Sequence, residues 1–244
     1  MQQLLFFALA LICEVMGTVG GFGSSVLFVP MAQFFFSFQL VLMLTSILHV
    51  FSNLAKILMF RQHIDKRVFL LFGIPSLLLT LLGAWLTAYA VSTLGSWILA
   101  VFLVLFSTFL LIRPHFQLPA TSFAAVVSGS LAGFFAGFVG TGGAIRGLSM
   151  AAFNLEKNLF VGTSAAIDTG VDISRFFIYL GNGFFKPEVW VLVPVLFVVS
   201  FVGSWLGKKL LNRLSQDFFR RLVLAFILVT GLALIYQQLS PNFL

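Results

Sequence analysis

Charged and apolar residues are segregated along this chain. Residues 68–112 contain no Asp, Glu, Lys, Arg or His, and residues 189–207 and 222–244 are equally clean. A helix needs about 20 apolar residues to cross the hydrocarbon core of a bilayer, so the first stretch predicts two spans and the others about one each. The stretches are apolar on all sides rather than at every second position. That excludes the strands of about 10 alternating residues that build a membrane barrel. The pattern predicts a helical integral membrane protein.

Short polar loops cut the apolar sequence into pieces. The first, residues 4–36, is interrupted by GTVGGFGSS (residues 17–25). The second, 40–60, is followed by RQHIDKR, and the next two, 68–90 and 97–112, are separated by VSTLGS. RPHFQLP (residues 113–119), with its prolines and charges, is the clearest linker. Beyond it the order recurs: an interrupted piece at 122–153, then 158–180, 189–207 and 218–236. Collinear matches about 120 residues apart mark an internal repeat. GTVGGFG (17–23) falls against GFVGTGG (137–143), Thr45-Ser46 against Thr163-Ser164, and Gly83-Ala84-Trp85-Leu86 against Gly203-Ser204-Trp205-Leu206. The expected organisation is an N-terminal repeat over residues 1–113, a linker at 114–119 and a C-terminal repeat over 120–244.

Loop charges orient the repeats. In the first half the basic loop follows the second piece (Arg61, Lys66, Arg67), and the loop after the third piece is uncharged. In the second half the loop after the second piece, NGFFKPE, holds one lysine and one glutamate. The loop after the third holds Lys208, Lys209, Arg213, Arg220 and Arg221. Short loops rich in Lys and Arg stay cytoplasmic, so equivalent loops fall on opposite sides and the repeats are expected to be inverted. Inversion demands an odd number of crossings per repeat, whereas each has four apolar pieces. The two agree if the interrupted piece enters and leaves on one side, as two short helices meeting at the glycine motif. The fold class is then an all-α polytopic membrane protein of two inverted repeats. Each repeat is a broken or re-entrant helix hairpin plus three transmembrane helices, six spans in all, with both termini outside.

Composition sharpens this picture. Only 9% of the 244 residues are charged, against roughly 25% in soluble domains. The formal charge of +7 comes mostly from loops beside apolar segments, the positive-inside pattern, so nucleic acid is not an expected partner. The lone Cys13 excludes an internal disulfide and any multi-cysteine metal site. The start, MQQLLFFALALICEVMG, lacks a basic region and carries Glu14, so it is read as part of the mature protein rather than as a signal peptide. The histidines show no metal-ligand spacing, and neither a hydrolase constellation nor a cofactor site can be assembled. No enzymatic activity, cofactor or metal is expected.

The candidate chemistry lies at the interruptions. A helix that starts at membrane depth points unsatisfied N–H groups, and the positive end of its dipole, into the break, which suits an anion. Gly20, Gly21, Gly23, Ser24 and Ser25 would form one cradle, and Gly140, Thr141, Gly142 and Gly143 the other. Thr163 and Ser164 would add hydroxyl donors. The alternative for the glycines is close helix packing, as small residues allow in membranes. Arg146 either completes the anion site or pairs internally with Asp168 or Asp172. Asp172 and Arg175, spaced i, i+3, can pair on one helix face, and Asp168, one turn earlier, is a candidate for proton coupling. Glu14 is either a proton site or the partner of Arg146. Lys56 and His49 lie about two turns apart on one segment, and Lys56 is expected to snorkel toward the basic loop.

Two repeats that open with motifs such as GFVGTGGAIRGL, followed by a span such as VGTSAAIDTGVDISRFFIYLG, resemble the sulfite exporter TauE/SafE family. That family is also called the toluene-sulfonate uptake permease family, and the likeness covers essentially the whole chain. One departure is that Pro30 follows the first motif as in the family, whereas Leu148-Ser149-Met150 stands at the comparable place in the second. The resemblance implies a secondary transporter, an exporter of sulfite or organosulfonates, in the inner or plasma membrane. Its partners would be a small anion and membrane lipids, and a homodimer stays open. An uncoupled anion channel and a non-transporting membrane subunit are the alternatives.

Overall fold

The computed structural model describes residues 2–20, 23–60, 63–90, 92–153, 155–211 and 216–239. Gly21 of the first glycine motif and the loop residues Arg61 and Arg213 lie outside the described residues, as does the side chain of Arg220. Helices α1 (Gln2–Gly20) and α2 (Ser25–Ala32) flank the first motif, and α3 (Phe38–Phe60), α4 (Lys66–Thr87) and α5 (Ser92–Ile112) follow. Beyond the linker come α6 (Ser122–Val139), α7 (Gly143–Ala151), α8 (Lys157–Gly181), α9 (Leu192–Leu211) and α10 (Gln216–Leu239). No strand occurs among the described residues. The same succession of long, short and three long helices occurs on each side of the linker.

Helices α3, α4, α5, α6 and α9 contain stretches long and apolar enough to cross a bilayer. Helix α8 has ample length, 25 residues, but carries Asp168, Asp172 and Arg175 in its middle. Shorter apolar stretches lie in α1 and α10. Leu78, Trp85, Leu105, Phe177 and Trp205 are exposed on outer faces, as contact with lipid requires. The protein is thus an all-helical polytopic membrane protein.

The broken pieces depart from the expected pair of short helices. Helices α1 and α6 run for 19 and 18 residues, and only the second limbs, α2 and α7, are short, at 8 and 9 residues. At about 1.5 Å per residue a long limb reaches about 27 Å, close to the thickness of the hydrocarbon core. The break falls at the end of the long limb, where left-handed backbone is imposed. Gly140, directly after α6, has φ +82°, and Gly23, ahead of α2, has φ +76°. Glycine adopts this region without the steric penalty of a Cβ.

Packing between the halves is reciprocal. Helix α6 runs along α4, and α1 runs along α9, so the long broken limb of each half lies beside the fourth helix of the other. Helices α3 and α8 pack together, as do α5 and α10. An apolar core around Phe6, Phe28, Leu42 and Leu99 fills the space between α1, α2, α3 and α5.

Glycines make the reciprocal seams close. Gly129, Gly133 and Gly137 recur at every fourth position of α6, where a Cβ would overlap the carbonyl oxygens of Phe72, Ser76 and Thr80. From the other side, Gly83 of α4 presses onto the backbone of Phe134. The second seam repeats this: a Cβ at Gly203 of α9 would meet the Glu14 side chain at 2.8 Å, and one at Gly207 would meet Thr18 at 2.6 Å. Hydroxyls stitch the first seam, Thr80 donating to the Gly133 carbonyl at 3.0 Å and Thr87 to that of Phe138 at 3.0 Å. Lipid offers helices no hydrophobic drive to associate, so close contact and interhelical hydrogen bonds hold them. A π-helical turn, Phe69–Gly73, lies in α4 just ahead of Pro75, whose missing N–H and bulky ring disturb the preceding turn.

Two glycine substitutions separate packing from propensity. Gly133→Val is expected to destabilise the protein by at least about 1–3 kcal/mol, the usual cost of overpacking. Gly181→Ala, with nothing within 4 Å of the new carbon, is expected to stay within about 0.5 kcal/mol of wild type. Denaturant unfolding in mixed micelles reads both.

Candidate functional site

The two glycine motifs meet in space. A Cβ built on Gly23 would lie 3.6 Å from the Gly143 Cα and 3.2 Å from Nη2 of Arg146. The Ser25 hydroxyl donates to that of Thr141 at 3.4 Å. Gly20 ends α1, while Gly140 and Gly142 form the turn from α6 into α7. Gly142 sits so near Ala132 that a Cβ would overlap its carbonyl. Ser24, Ser25 and Thr141 are buried.

Arg146 projects from the first half of α7 toward α8. Its Nε donates to Ser164 Oγ at 2.8 Å, and its Nη1 forms an ion pair with Asp168. Of the internal partners open to it, Asp168 is the one engaged. Asp172 pairs instead with Arg175 Nη2 at 2.7 Å, the i, i+3 contact expected of one helix face, and accepts from Asn53 Nδ2 at 2.6 Å. Arg175 then reaches the break with its other nitrogen. Nη1 donates to the carbonyls of Ala136, at 3.2 Å, and Gly140, at 2.9 Å, and the Tyr179 hydroxyl donates to the Gly137 carbonyl. The last carbonyls of α6, which have no partner within the helix, are thereby satisfied by α8.

Glu14, on α1, is the centre of a second charged cluster. Its carboxylate is fully buried and pairs with Lys56 Nζ at 2.7 Å. It also accepts from Ser24 Oγ at 2.7 Å, from Ser52 Oγ and from Ser204 Oγ at 3.3 Å. Arg146 is not its partner. Lys56 does not snorkel either: it is 8% exposed. A carboxylate buried without a counter-charge is costly, and the Lys56 ammonium provides that charge.

His49 connects the two clusters. Its Nε2 lies 2.9 Å from Ser24 Oγ, and its Nδ1 lies 3.6 Å from Asp172 Oδ2 and 3.5 Å from Arg175 Nη2. His49, Ser52 and Asn53 carry no motif that marks them as site residues, although with Lys56 they mark one face of α3 at i, i+3, i+4 and i+7, a signal available from periodicity. Ser204 carried no local signal, because it is brought in by the packing of α9 on α1. Thr163 does not line the cleft described below. Its hydroxyl accepts the backbone N–H of Asp65 at 2.8 Å and anchors the start of α4.

Between these groups lies a cleft of about 30 Å³, lined by Gly17, Thr18, Gly23, Asn53, Lys56, Arg146, Ser164 and Asp168 among others. Two cations and one carboxylate face it. Lys56 uses two donors on Glu14 and Ser52, out of three on an ammonium. The Nη2 of Arg146 has no hydrogen-bond partner among the described residues. No cluster of His, Cys, Asp or Glu suited to a metal occurs among them either.

Broken helices meeting at a narrow, charge-lined cleft inside an apolar bundle are features of a membrane transporter for a small solute. Residues 5–234 match the family model described as Sulfite exporter TauE/SafE, and the chain belongs to that family. It is accordingly a multi-pass membrane transporter and not an enzyme, of a family that handles sulfur-containing anions such as sulfite. Neither the curated proteins nor the solved structures contain a significant match.

The Glu14–Lys56 pair makes a direct prediction. Lys56→Met leaves a buried carboxylate unpaired and should cost about 3–5 kcal/mol. The double variant Glu14→Gln/Lys56→Met should recover a large part of that loss. Equal losses in single and double variants, measured by unfolding in mixed micelles, would show that the pair is not what holds Glu14.

Proposed function

We propose that the chain is a secondary transporter that exports a small sulfur oxyanion, sulfite or an organosulfonate, by alternating access. Residues 1–113 and 120–244 act as two inverted repeats joined by 114–119, each contributing one broken helix to the site. The reciprocal packing of α1 on α9 and of α6 on α4 supports this arrangement, as do the loop charges. In each half the chain re-enters through the short limb, α2 or α7.

The observation that carries the reading is that spare cationic donors face the cleft where the two glycine motifs meet. An anion there takes Nη2 of Arg146 and the remaining proton of Lys56. It also takes the Ser164 hydroxyl and the N–H groups that open α2 and α7, around Gly23 and Gly143. Guanidinium suits the geometry of an oxyanion. Asp168 remains as the counter-charge of Arg146 and is released in part when the anion binds. Thr163 is left out of this binding set because it does not line the cleft.

A cleft of about 30 Å³ holds about two waters, at roughly 10–15 Å³ of such volume each. A hydrated oxyanion needs more room, so the site must widen toward one side and then the other. That is the movement alternating access supplies. An uncoupled channel needs a continuous path instead.

A thermal-shift screen of purified protein against sulfite, thiosulfate, sulfate, sulfoacetate and carboxylate controls tests the proposal. A ligand at 100 times its Kd stabilises by about 2.7 kcal/mol, so sulfur oxyanions should raise the Tm visibly and Arg146→Gln should abolish the shift. Stabilisation by a cation or neutral solute alone would sink the reading.

A further inference from the structure

The buried charges at the site close in pairs: Glu14 with Lys56, Asp168 with Arg146, and Asp172 with Arg175. Their sum is zero. A monoanion entering this cluster leaves it one negative charge in excess at membrane depth, where an uncompensated charge is costly. Two further titratable side chains sit among the pairs, Tyr179 and His49, and only the histidine is of a type that changes charge near neutral pH.

The contacts of His49 fit a neutral ring in one tautomer. Arg175 Nη2, at 3.5 Å, can only donate, so Nδ1 of the ring is the acceptor. The ring proton is then on Nε2 and is donated to Ser24 Oγ at 2.9 Å, and Ser24 donates onward to Glu14 Oε2 at 2.7 Å. The same Nδ1 lies 3.6 Å from the carboxylate of Asp172. The ring therefore stands between two carboxylates, joined to one through Ser24 and within reach of the other.

We infer that His49 is the proton-carrying residue of this transporter, taking up one proton on Nδ1 for each monoanion bound and releasing it with the anion. This rests on the anion reading above. The step forms one N–H bond and breaks one O–H bond of hydronium, leaving water, and no electrons are transferred. The imidazolium then donates Nδ1–H to Asp172 Oδ2 and keeps its Nε2–H bond to Ser24. It also turns the contact with Arg175 Nη2 from attractive to repulsive. Arg175 holds the end of α6 through the Ala136 and Gly140 carbonyls, so the proton is linked to the break itself.

The groups facing His49 are distributed to make this work. Glu14 on α1, reached through Ser24, and Asp172 on α8 favour the imidazolium, and Asp168 lies one turn before Asp172. Arg175 on α8, Arg146 on α7 and Lys56 on the same α3 face oppose it. Helix α9 contributes the uncharged Ser204. With the cations and carboxylates balanced, an arriving anion is what shifts the ring toward its charged form.

The test uses methanesulfonate, whose charge does not change over the neutral pH range, with sulfite as a second probe. Calorimetric titration of purified wild type in buffers of different ionisation enthalpy should show uptake of about one proton per anion bound, and His49→Gln should show none. In a His63→Gln/His115→Gln variant, His49 is the sole histidine and its ring can be observed by 15N NMR without being altered. Its pattern should move from neutral to imidazolium when the anion is added. Binding without proton uptake in wild type, uptake that persists in His49→Gln, or a ring that stays neutral with anion bound each overturns the assignment while leaving the anion site standing. No binding heat from either probe in wild type overturns the anion reading and this inference together.

Discussion

A backbone carbonyl or N–H at bilayer depth has no water to bond, so a helix can stop there only if other parts of the protein receive its free ends. The architecture follows from this requirement. At the end of α6, Arg175 binds the carbonyls of Ala136 and Gly140, and Tyr179 binds that of Gly137. Thr80 and Thr87 of α4 add hydroxyls to the carbonyls of Gly133 and Phe138. Those side chains come from α8 and α4, so the break exists only while both helices are docked against α6. Arg175 in turn needs Asp172 as its counter-charge, and Asp172 accepts from Asn53 of α3. One interrupted helix therefore recruits polar side chains from three others.

The glycines divide between two tasks. Gly23 and Gly140 turn the chain at positive φ, while Gly129, Gly133, Gly137, Gly83, Gly203 and Gly207 bring helices into backbone contact. Gly137 belongs to the motif yet serves the seam, so packing and site-building are not alternatives for this cluster. Gly203 has the same double consequence. By letting α9 approach Glu14 closely, it delivers Ser204 to the carboxylate. Rigid seams on both flanks leave the polar faces of α3 and α8 against each other in the middle.

Much of this was legible from residue types and spacing. Uncharged stretches located the long helices, and the repeated GTVGGFG and GFVGTGG located both breaks. The i, i+3 spacing of Asp172 and Arg175 gave their ion pair. What failed depended on distance in three dimensions. Lys56 looked free to snorkel because its partner, Glu14, is remote in sequence. Nothing in its spacing told that the Thr163 hydroxyl would accept the Asp65 N–H ahead of α4. The lengths of α1 and α6 were misjudged because a glycine-rich stretch marks where a helix ends without saying how far its first limb reaches. His49 was underweighted for a similar reason, since its meaning comes from Ser24 and Asp172, which the fold brings from either side.

The two halves share a backbone plan but not a charge plan. Glu14 on α1 stands where α6 has Phe134, and each lies against the matching glycine, Gly203 or Gly83. Arg146 on α7 has Val26 opposite it on α2. The first half thus supplies a carboxylate with its lysine and the histidine, while the second supplies two arginines with their aspartates. In the transporter proposed above, a repeated scaffold lets the same packing be made in both halves, whereas a single anion needs only one set of donors. Duplicating those charges would add unpaired ones at membrane depth, so the packing is shared between the halves and the charge is not.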